Sequence, residues 1–544
     1  MKIELADYLI KRLYELGIEE VFGLPGDYNF SIIEAIEKSK DVNWIASSNE
    51  LNGGYCADGY ARIKGYGAIV TTFGVGELSA INAIAGCMAE NVPIIKIVGM
   101  PSTEHIKNKT LLHHNLANAD YEVFKNIYDN VVESGIILTN ENPKQKIDKL
   151  LNLLIQTKRP VYLAIPMDIC HLEIEDEFEI IELKSNKNNL NKAVDEIITL
   201  IQNSKTPCVI ADILVNRFNC NKELNKFLKK TDIPSTSFIR GMDIIETSQK
   251  NYFGVYCADI ANPVCYEYVN SSDLIILIGS VVSDLNTLNF NFKFDLNNAI
   301  DVQPAFVRIK NVKYENVLMK DLFSKLNEKI NYVSKETFEF GLGYKKTEIK
   351  TEEPLKCSYI YPRLSEFLKE NDIFITEVGL APFGAMPMKL KKNMSVQNQI
   401  LWGSIGWGTP CALGCSIADR KRRTILISGD GAHQVTAQEI SIMMRNNVKP
   451  FIFVINNSGY TVERILCDNV DYKYNDIAKW DYKKLPSVFD GDCYTAAAKT
   501  NVEFDNILKE IENIDKMCYI ELKTDYLDIP PMAKAIAKHP DRLP

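Results

Sequence analysis

Short apolar runs alternate with stretches in which apolar residues recur every three or four positions, and the alternation carries through almost the whole chain. Over residues 1–180 the runs fall at 20–22, 68–72, 94–98 and 161–165, with amphipathic stretches between them. This is the arrangement of a parallel sheet sandwiched between helices. The polar stretch from Lys184 to Asn189 breaks the pattern and reads as a linker. A second block follows, with runs at 208–211, 274–278 and 306–309, and it ends over 341–354, where Gly, Lys, Thr and Glu replace the apolar periodicity. The last block repeats the alternation through 373–376, 424–427, 451–455 and 519–522. The fold expected is α/β, with three doubly wound parallel-sheet domains at 1–180, 190–340 and 355–544. No short-period repeat or low-complexity tract argues for a solenoid or a disordered tail.

Composition agrees and removes several function classes. The chain has 544 residues, too many for one ordinary core, and at roughly 100–200 residues per domain three is the natural number. Apolar residues at 46% and charged residues at 24% are those of a soluble globular protein. The net charge of -9 is modest, and the basic residues are scattered, which argues against a nucleic-acid partner. Met1 leads directly into an amphipathic pattern (Leu5, Leu9, Leu13, Leu16), unlike a signal peptide. No run reaches the roughly 18 apolar residues of a membrane span, so a cytoplasmic protein is expected. The 13 cysteines, from Cys56 to Cys518, include no CxxC pair and read as reduced, mostly buried thiols. Cys411 and Cys415 share a helix face without a third ligand nearby in sequence.

Candidate chemistry begins at Gly429-Asp430-Gly431, which ends the apolar run 424–428. A helical stretch follows, then a second strand closing in Asn456-Asn457-Ser458-Gly459. Either segment alone is an ordinary turn sequence. Together, each after a buried strand and separated by one helix, they place a carboxylate, an amide and a backbone carbonyl at neighbouring strand ends, where ligands of open parallel sheets collect. Such hard oxygens suit Mg2+, which usually takes its other ligands from water and phosphate. No GxxxxGK[ST] loop is present there, so a cation would offset the phosphate charge.

This spacing resembles the thiamine diphosphate signature of the superfamily that includes pyruvate decarboxylase and acetolactate synthase. The resemblance implies Asp430, Asn457 and the carbonyl of Gly459 as Mg2+ ligands. It implies Gly429, Gly431, Ala432 and Tyr460 as further cofactor contacts. The segment from Glu50 to Arg62 looks like the family's activating-glutamate segment, making Glu50 the acid that drives the aminopyrimidine to its imino form. Residues 71–80, with Thr72, look like the family's core strand and turn. In Leu401-Trp402-Gly403-Ser404-Ile405-Gly406, Ile405 would be the apolar wedge that bends the cofactor, and the Gly403 carbonyl would accept from its aminopyrimidine.

Only six histidines occur, yet His113 and His114 are adjacent. After CO2 departs, the product carbon must be protonated, which needs donors working near neutral pH. Asp27 in Gly23-Leu24-Pro25-Gly26-Asp27 and Glu463 in Gly459-Tyr460-Thr461-Val462-Glu463 complete a set that matches the acid-base residues of 2-oxo-acid decarboxylases. The resemblance spans nearly the whole chain. It implies non-oxidative decarboxylation of a 2-oxo acid to an aldehyde, in a homodimer or homotetramer whose sites are shared between subunits. An acetolactate-synthase-like carboligase and a non-catalytic cofactor-binding subunit are the alternatives, and the intact acid-base set counts against the latter. Val378 and Leu380 stand where relatives carry polar residues, Thr287-Leu288-Asn289-Phe290 departs at the expected pocket mouth, and Val462 is one methylene short of a common isoleucine. One methylene biases substrate choice by about 1–3 kcal/mol. The expectation is a branched-chain or aromatic 2-oxo acid such as phenylpyruvate or indolepyruvate, with pyruvate as the alternative.

Overall fold

The computed structural model describes residues 2–338, 343–345, 347, 352–538 and 540. It builds three large sheets from the three blocks. The first runs, in spatial order, Asn43–Ala46, Glu20–Gly23, Gly67–Thr72, Ile94–Met100, Val161–Pro166 and Ser134–Ile137, all parallel. The third runs Ser395–Gln397, Ile373–Thr376, Thr424–Gly429, Phe451–Asn456, Met517–Lys523 and Cys493–Ala498, again all parallel. Numbered within its own sheet, each has the order 2-1-3-4-6-5, so the two are copies of one topology. In each, the chain reverses direction between its first and third strands, which creates a crevice at their carboxyl ends.

The middle sheet is parallel over Tyr252–Val255, Ser235–Ser237, Pro207–Ala211, Leu274–Ile278 and Ile300–Gln303, then continues through the antiparallel strands Phe306–Ile309 and Val312–Glu315. A small antiparallel pair, Lys2–Glu4 with Glu173–Glu175, precedes the first helix, Leu5–Glu15, whose Leu5, Leu9 and Leu13 are buried as their spacing predicts. The break at 184–189 contains a helix start: Asn186 accepts from the backbone N–H groups of Asn188 and Asn189 and caps Lys187–Asn203. Much of the break at 341–354 lies outside the described residues. Between Gly429 and Asn456 the expected single helix is two, Asp430–Thr436 and Glu439–Arg445. Among the described residues no helix is long and apolar enough to cross a membrane.

The first and third sheets share a core. Alternation along the third sheet sends Ile373, Ile375, Leu426, Ile452 and Val454 into the cluster that holds the interior of the first block, while Phe374, Ile425, Ile427, Phe451 and Phe453 enter a separate cluster on the opposite face. The middle sheet has clusters of its own. Two helices join the first and third blocks. Glu50–Lys64 is capped by Asn49, which accepts from the Asn52 N–H, and is stopped by Gly65 in the left-handed region. It crosses the wholly buried helix Gly408–Ala418. The crossing is backbone on backbone: a Cβ on Gly59 would lie 2.3 Å from the Cys411 carbonyl oxygen, and one on Gly414 would lie 1.9 Å from that of Cys56. The contact is reciprocal because both helices carry the pattern Cys-Ala-x-Gly, at 56–59 and 411–414. Trp407 Nε1 donates to Asp58 Oδ2 at 3.0 Å beside it, and Arg62 pairs with Asp58.

Candidate active site

Asp430 and Asn457 lie where the third sheet's central strands end. Asp430 is buried, and its carboxylate accepts from three backbone N–H groups: Gly431 at 2.8 Å, Ser458 at 2.7 Å and Gly459 at 3.3 Å. Burial nevertheless pushes its pKa up to about 6. Gly459 has φ +149, and a Cβ there would lie 2.2 Å from the Asn475 carbonyl oxygen, so the turn requires glycine. One terminal atom of the Asn457 amide lies 2.9 Å from the Gly459 carbonyl oxygen and 3.2 Å from Asp430 Oδ1. With nitrogen there, the amide donates to both. With oxygen there, three oxygens face one another, which is favourable only around a cation. The donor set therefore fits a hard divalent ion.

Beside these oxygens opens a cavity of about 410 Å³. Gly403, Ile405, Gly429, Asp430, Gly431 and Ala432 line it, as do Asn457, Gly459, Tyr460 and Glu463. Every residue expected in the third block at this site thus faces one space. Val378, Leu380 and Val462 line it too, so the departures from the family pattern lie on the cavity wall. Among Thr287, Leu288, Asn289 and Phe290 none lines it: Thr287 is buried, Leu288 packs against the third block's outer core, and Phe290 is exposed. The middle block contributes Ile239 and Leu285 instead. Leu285 sits on the short helix Asp284–Thr287, which Ser283 caps. The loop carrying Ile405 is held by Ser404, whose Oγ lies 2.7 Å from Tyr55 OH and accepts from Asn82 Nδ2 at 3.0 Å.

A second cluster forms at the equivalent end of the first sheet. His113 Nε2 lies 3.0 Å from Asp27 Oδ2, its Nδ1 lies 3.1 Å from Tyr28 OH, and the His113 and His114 ring centroids are 4.5 Å apart. His114 has φ +65, a left-handed conformation that turns the second imidazole back toward the first. Partial burial, and then the neighbouring His113, lower the His114 pKa. Glu50 begins its helix nearby, with Oε1 3.1 Å from where a Cβ on Gly76 would be; Thr72 Cγ2 lies at the same distance from that point. Thr72 Oγ1 is buried without a hydrogen-bond partner.

The two clusters do not meet within one chain: among the described residues, none of the first block lines the cavity that holds Asp430 and Glu463. The structure therefore brings together Asp27, His113 and His114 on one side, and all the third-block residues on the other.

Two acids escaped the sequence reading. Glu377, fully buried at the end of Ile373–Thr376, accepts from the N–H groups of Val378 and Gly408, both at 2.9 Å, and burial pushes its pKa up to about 7. Its place directly before Val378, one of the departures from the family pattern, was the available signal. Glu77 accepts from Gly74 N at 2.7 Å and Tyr162 OH at 2.8 Å, with the buried Lys96 as its counter-ion. Burial brings Lys96 down to about 7, and its ammonium donates to Thr71 Oγ1. A lysine inside the apolar run 94–98 was visible in the sequence. Leu285 and Ile239 carried no signal.

Family models for thiamine pyrophosphate enzymes match all three blocks: the N-terminal TPP binding domain at residues 3–122, the central domain at 194–321 and the C-terminal TPP binding domain at 378–522. A putative pyruvate decarboxylase of Schizosaccharomyces pombe is 36% identical, over 97% of this chain and 96% of its own. The pyruvate decarboxylase of Aspergillus fumigatus is 37% identical over 94% and 92%. Pyruvate decarboxylase isozyme 1 of Saccharomyces cerevisiae is 35% identical over 97% of each chain.

Proposed function

Because the chain belongs to the thiamine-diphosphate-dependent 2-oxo-acid decarboxylase family, and so is a carboxy-lyase, we propose that it releases acetaldehyde and CO2 from pyruvate with Mg2+ as the metal. The observation that carries the reading is the meeting of Asp430 Oδ1, the Gly459 carbonyl oxygen and one terminal atom of the Asn457 amide at the edge of an apolar cavity. Pyruvate is favoured because full-length relatives bear the name pyruvate decarboxylase.

Bound thiamine diphosphate supplies the electron sink that lets a 2-oxo acid lose CO2. Asp430, the Asn457 side-chain oxygen and the Gly459 carbonyl would hold Mg2+, whose charge would offset that of the diphosphate, and Gly429, Gly431, Ala432 and Tyr460 would leave the cofactor room. Ile405, on the cavity wall, would be the apolar wedge beneath the cofactor, and the Gly403 carbonyl would accept from its aminopyrimidine. Glu50 holds the proton that the aminopyrimidine needs, beside Thr72. Asp27, His113, His114 and Glu463 deliver a proton to the product carbon. Two clusters that stay apart within one chain are reconciled if the first block of one chain faces the third block of another, which makes a homodimer the smallest complete enzyme and a homotetramer its pairing.

A larger 2-oxo acid is the second reading, and one observation favours it: Leu285, Val378, Leu380 and Val462 give the cavity an apolar wall. The test is aldehyde and CO2 release from pyruvate, 4-methyl-2-oxopentanoate, phenylpyruvate and indolepyruvate, with and without thiamine diphosphate and Mg2+. Pyruvate is expected to have the highest kcat/KM. A bulkier acid ahead by tenfold replaces the substrate assignment, and aldehyde formation indifferent to both cofactors refutes the mechanism.

A further inference from the structure

We propose that Asp27, His113 and His114 form a second cation site, one for a borderline transition metal such as Zn2+ and chemically distinct from the all-oxygen set at Asp430. The three side chains each offer one ligand atom, and those atoms lie within 4.8 Å of one another, the only such group of His, Cys, Asp and Glu among the described residues. Two imidazole nitrogens and one carboxylate oxygen select Zn2+, Co2+, Ni2+ or Cu2+ over Mg2+, which prefers oxygen throughout.

The geometry is close to what such an ion needs. Ligand atoms about 2.1 Å from one metal stand roughly 3.0–3.4 Å apart, depending on whether the angle is nearer 90° or tetrahedral. His113 Nε2 and Asp27 Oδ2 already meet that spacing at 3.0 Å. The remaining separations are at most 4.8 Å, and the half-exposed Asp27 side chain has room to rotate toward the two imidazoles and close them. The Tyr28 hydroxyl, 3.1 Å from His113 Nδ1, supplies the outer hydrogen bond that fixes the orientation of a ligating imidazole and leaves Nε2 for the ion. The left-handed backbone at His114 brings two consecutive residues to one point, which an extended strand would send to opposite faces.

The consequence for turnover rests on the function proposed above. An ion between these three groups occupies the lone pairs that would otherwise pass the proton to product, so a filled site arrests aldehyde release. The enzyme would thus need one divalent ion and be stopped by another.

The experiment uses the full chain saturated with thiamine diphosphate and Mg2+, so that the oxygen site is occupied. Zn2+ is titrated by calorimetry and Co2+ by its visible absorption, alongside aldehyde release. One additional ion per chain is expected, with turnover falling along the same saturation curve. His113→Asn and His114→Asn should each weaken Zn2+ binding by at least roughly 100-fold, beyond the 10–100-fold typical of losing an outer partner. Their affinity for thiamine diphosphate should stay within threefold of wild type. No binding below millimolar Zn2+, or binding that survives both substitutions, overturns the site. Binding that leaves turnover intact keeps the site and refutes the acid-base role of the cluster. Should either variant fail to fold, the Cu2+ electron paramagnetic resonance of the wild type decides, since two coordinated imidazoles are required.

Discussion

Gly414→Ala sets local propensity directly against tertiary packing. Alanine is favoured over glycine inside a helix by about 1 kcal/mol, so propensity alone makes the variant more stable. The crossing opposes this. The new Cβ would lie 1.9 Å from the Cys56 carbonyl oxygen and 2.8 Å from the Tyr60 nitrogen, both backbone atoms that no rotamer change can move. Ordinary carbon–oxygen contacts stand at about 3.3 Å, so the helices must separate by roughly 1.4 Å at this point. A gap of 0.5–1 Å already forfeits about a quarter to a half of each dispersion contact. Overpacking typically costs about 1–3 kcal/mol, and here both partners are rigid, so the upper end applies. Net destabilisation of about 2 kcal/mol is expected after the propensity gain. Urea denaturation of the cofactor-free protein measures it. Hydrogen exchange should show amides of Glu50–Lys64 and Gly408–Ala418 losing protection together. A Gly414→Ala protein as stable as wild type, or more so, refutes the reasoning.

Three further outcomes are expected. Glu50→Gln should lower turnover by about 10²–10⁴-fold while leaving thiamine diphosphate bound, measured by steady-state rate and cofactor titration; unchanged turnover removes Glu50 from its role. Chelation of divalent ions should abolish aldehyde release, with recovery on adding Mg2+; release that persists in the stripped protein contradicts the oxygen set at Asp430. Glu377 concerns pH: its pKa rises from 4.5 to about 7 on folding, so the folded state binds more protons between those values and stability falls as pH climbs from 4.5 to 7. The loss approaches about 3 kcal/mol, and Glu377→Gln should flatten that slope in denaturation curves collected across the window; an identical slope excludes Glu377 as its source.

The fold was legible where physics is local. Uninterrupted apolar runs such as 94–98 and 451–455 became central strands because residues covered on both faces need no polar alternation. The neighbourhood of Asp430 and Asn457 was legible because adjacent parallel strands end together, so spacing in sequence becomes proximity in space. What stayed hidden depended on distant chain. Leu285 reaches the cavity from a different sheet, and no periodicity around it reports that. The segment 287–290 looked like the pocket mouth, yet Ser283 caps a single helical turn that directs Leu285 inward and leaves Phe290 outside. The separation of Glu50 and His113 from the cavity is likewise a matter of how whole sheets are arranged. The two Cys-Ala-x-Gly tetrapeptides were in plain view, but their meaning depends on the crossing that pairs them.

The shared core of the first and third blocks also sets a timetable for synthesis. Roughly 340 residues separate Lys64 from Gly408, so at about 5–20 residues per second the covering helix leaves the ribosome on the order of 20–70 s after the helix it must cover. For that interval the face carrying Cys56, Gly59 and Tyr60 is finished but bare, while the middle sheet, with clusters of its own, has everything it needs to close. The last part of the chain to be made is thus the part that completes the first. A nascent chain stalled within the third block would present this apolar face to whatever is near, making it a natural point of capture for chaperones or of aggregation when they are scarce.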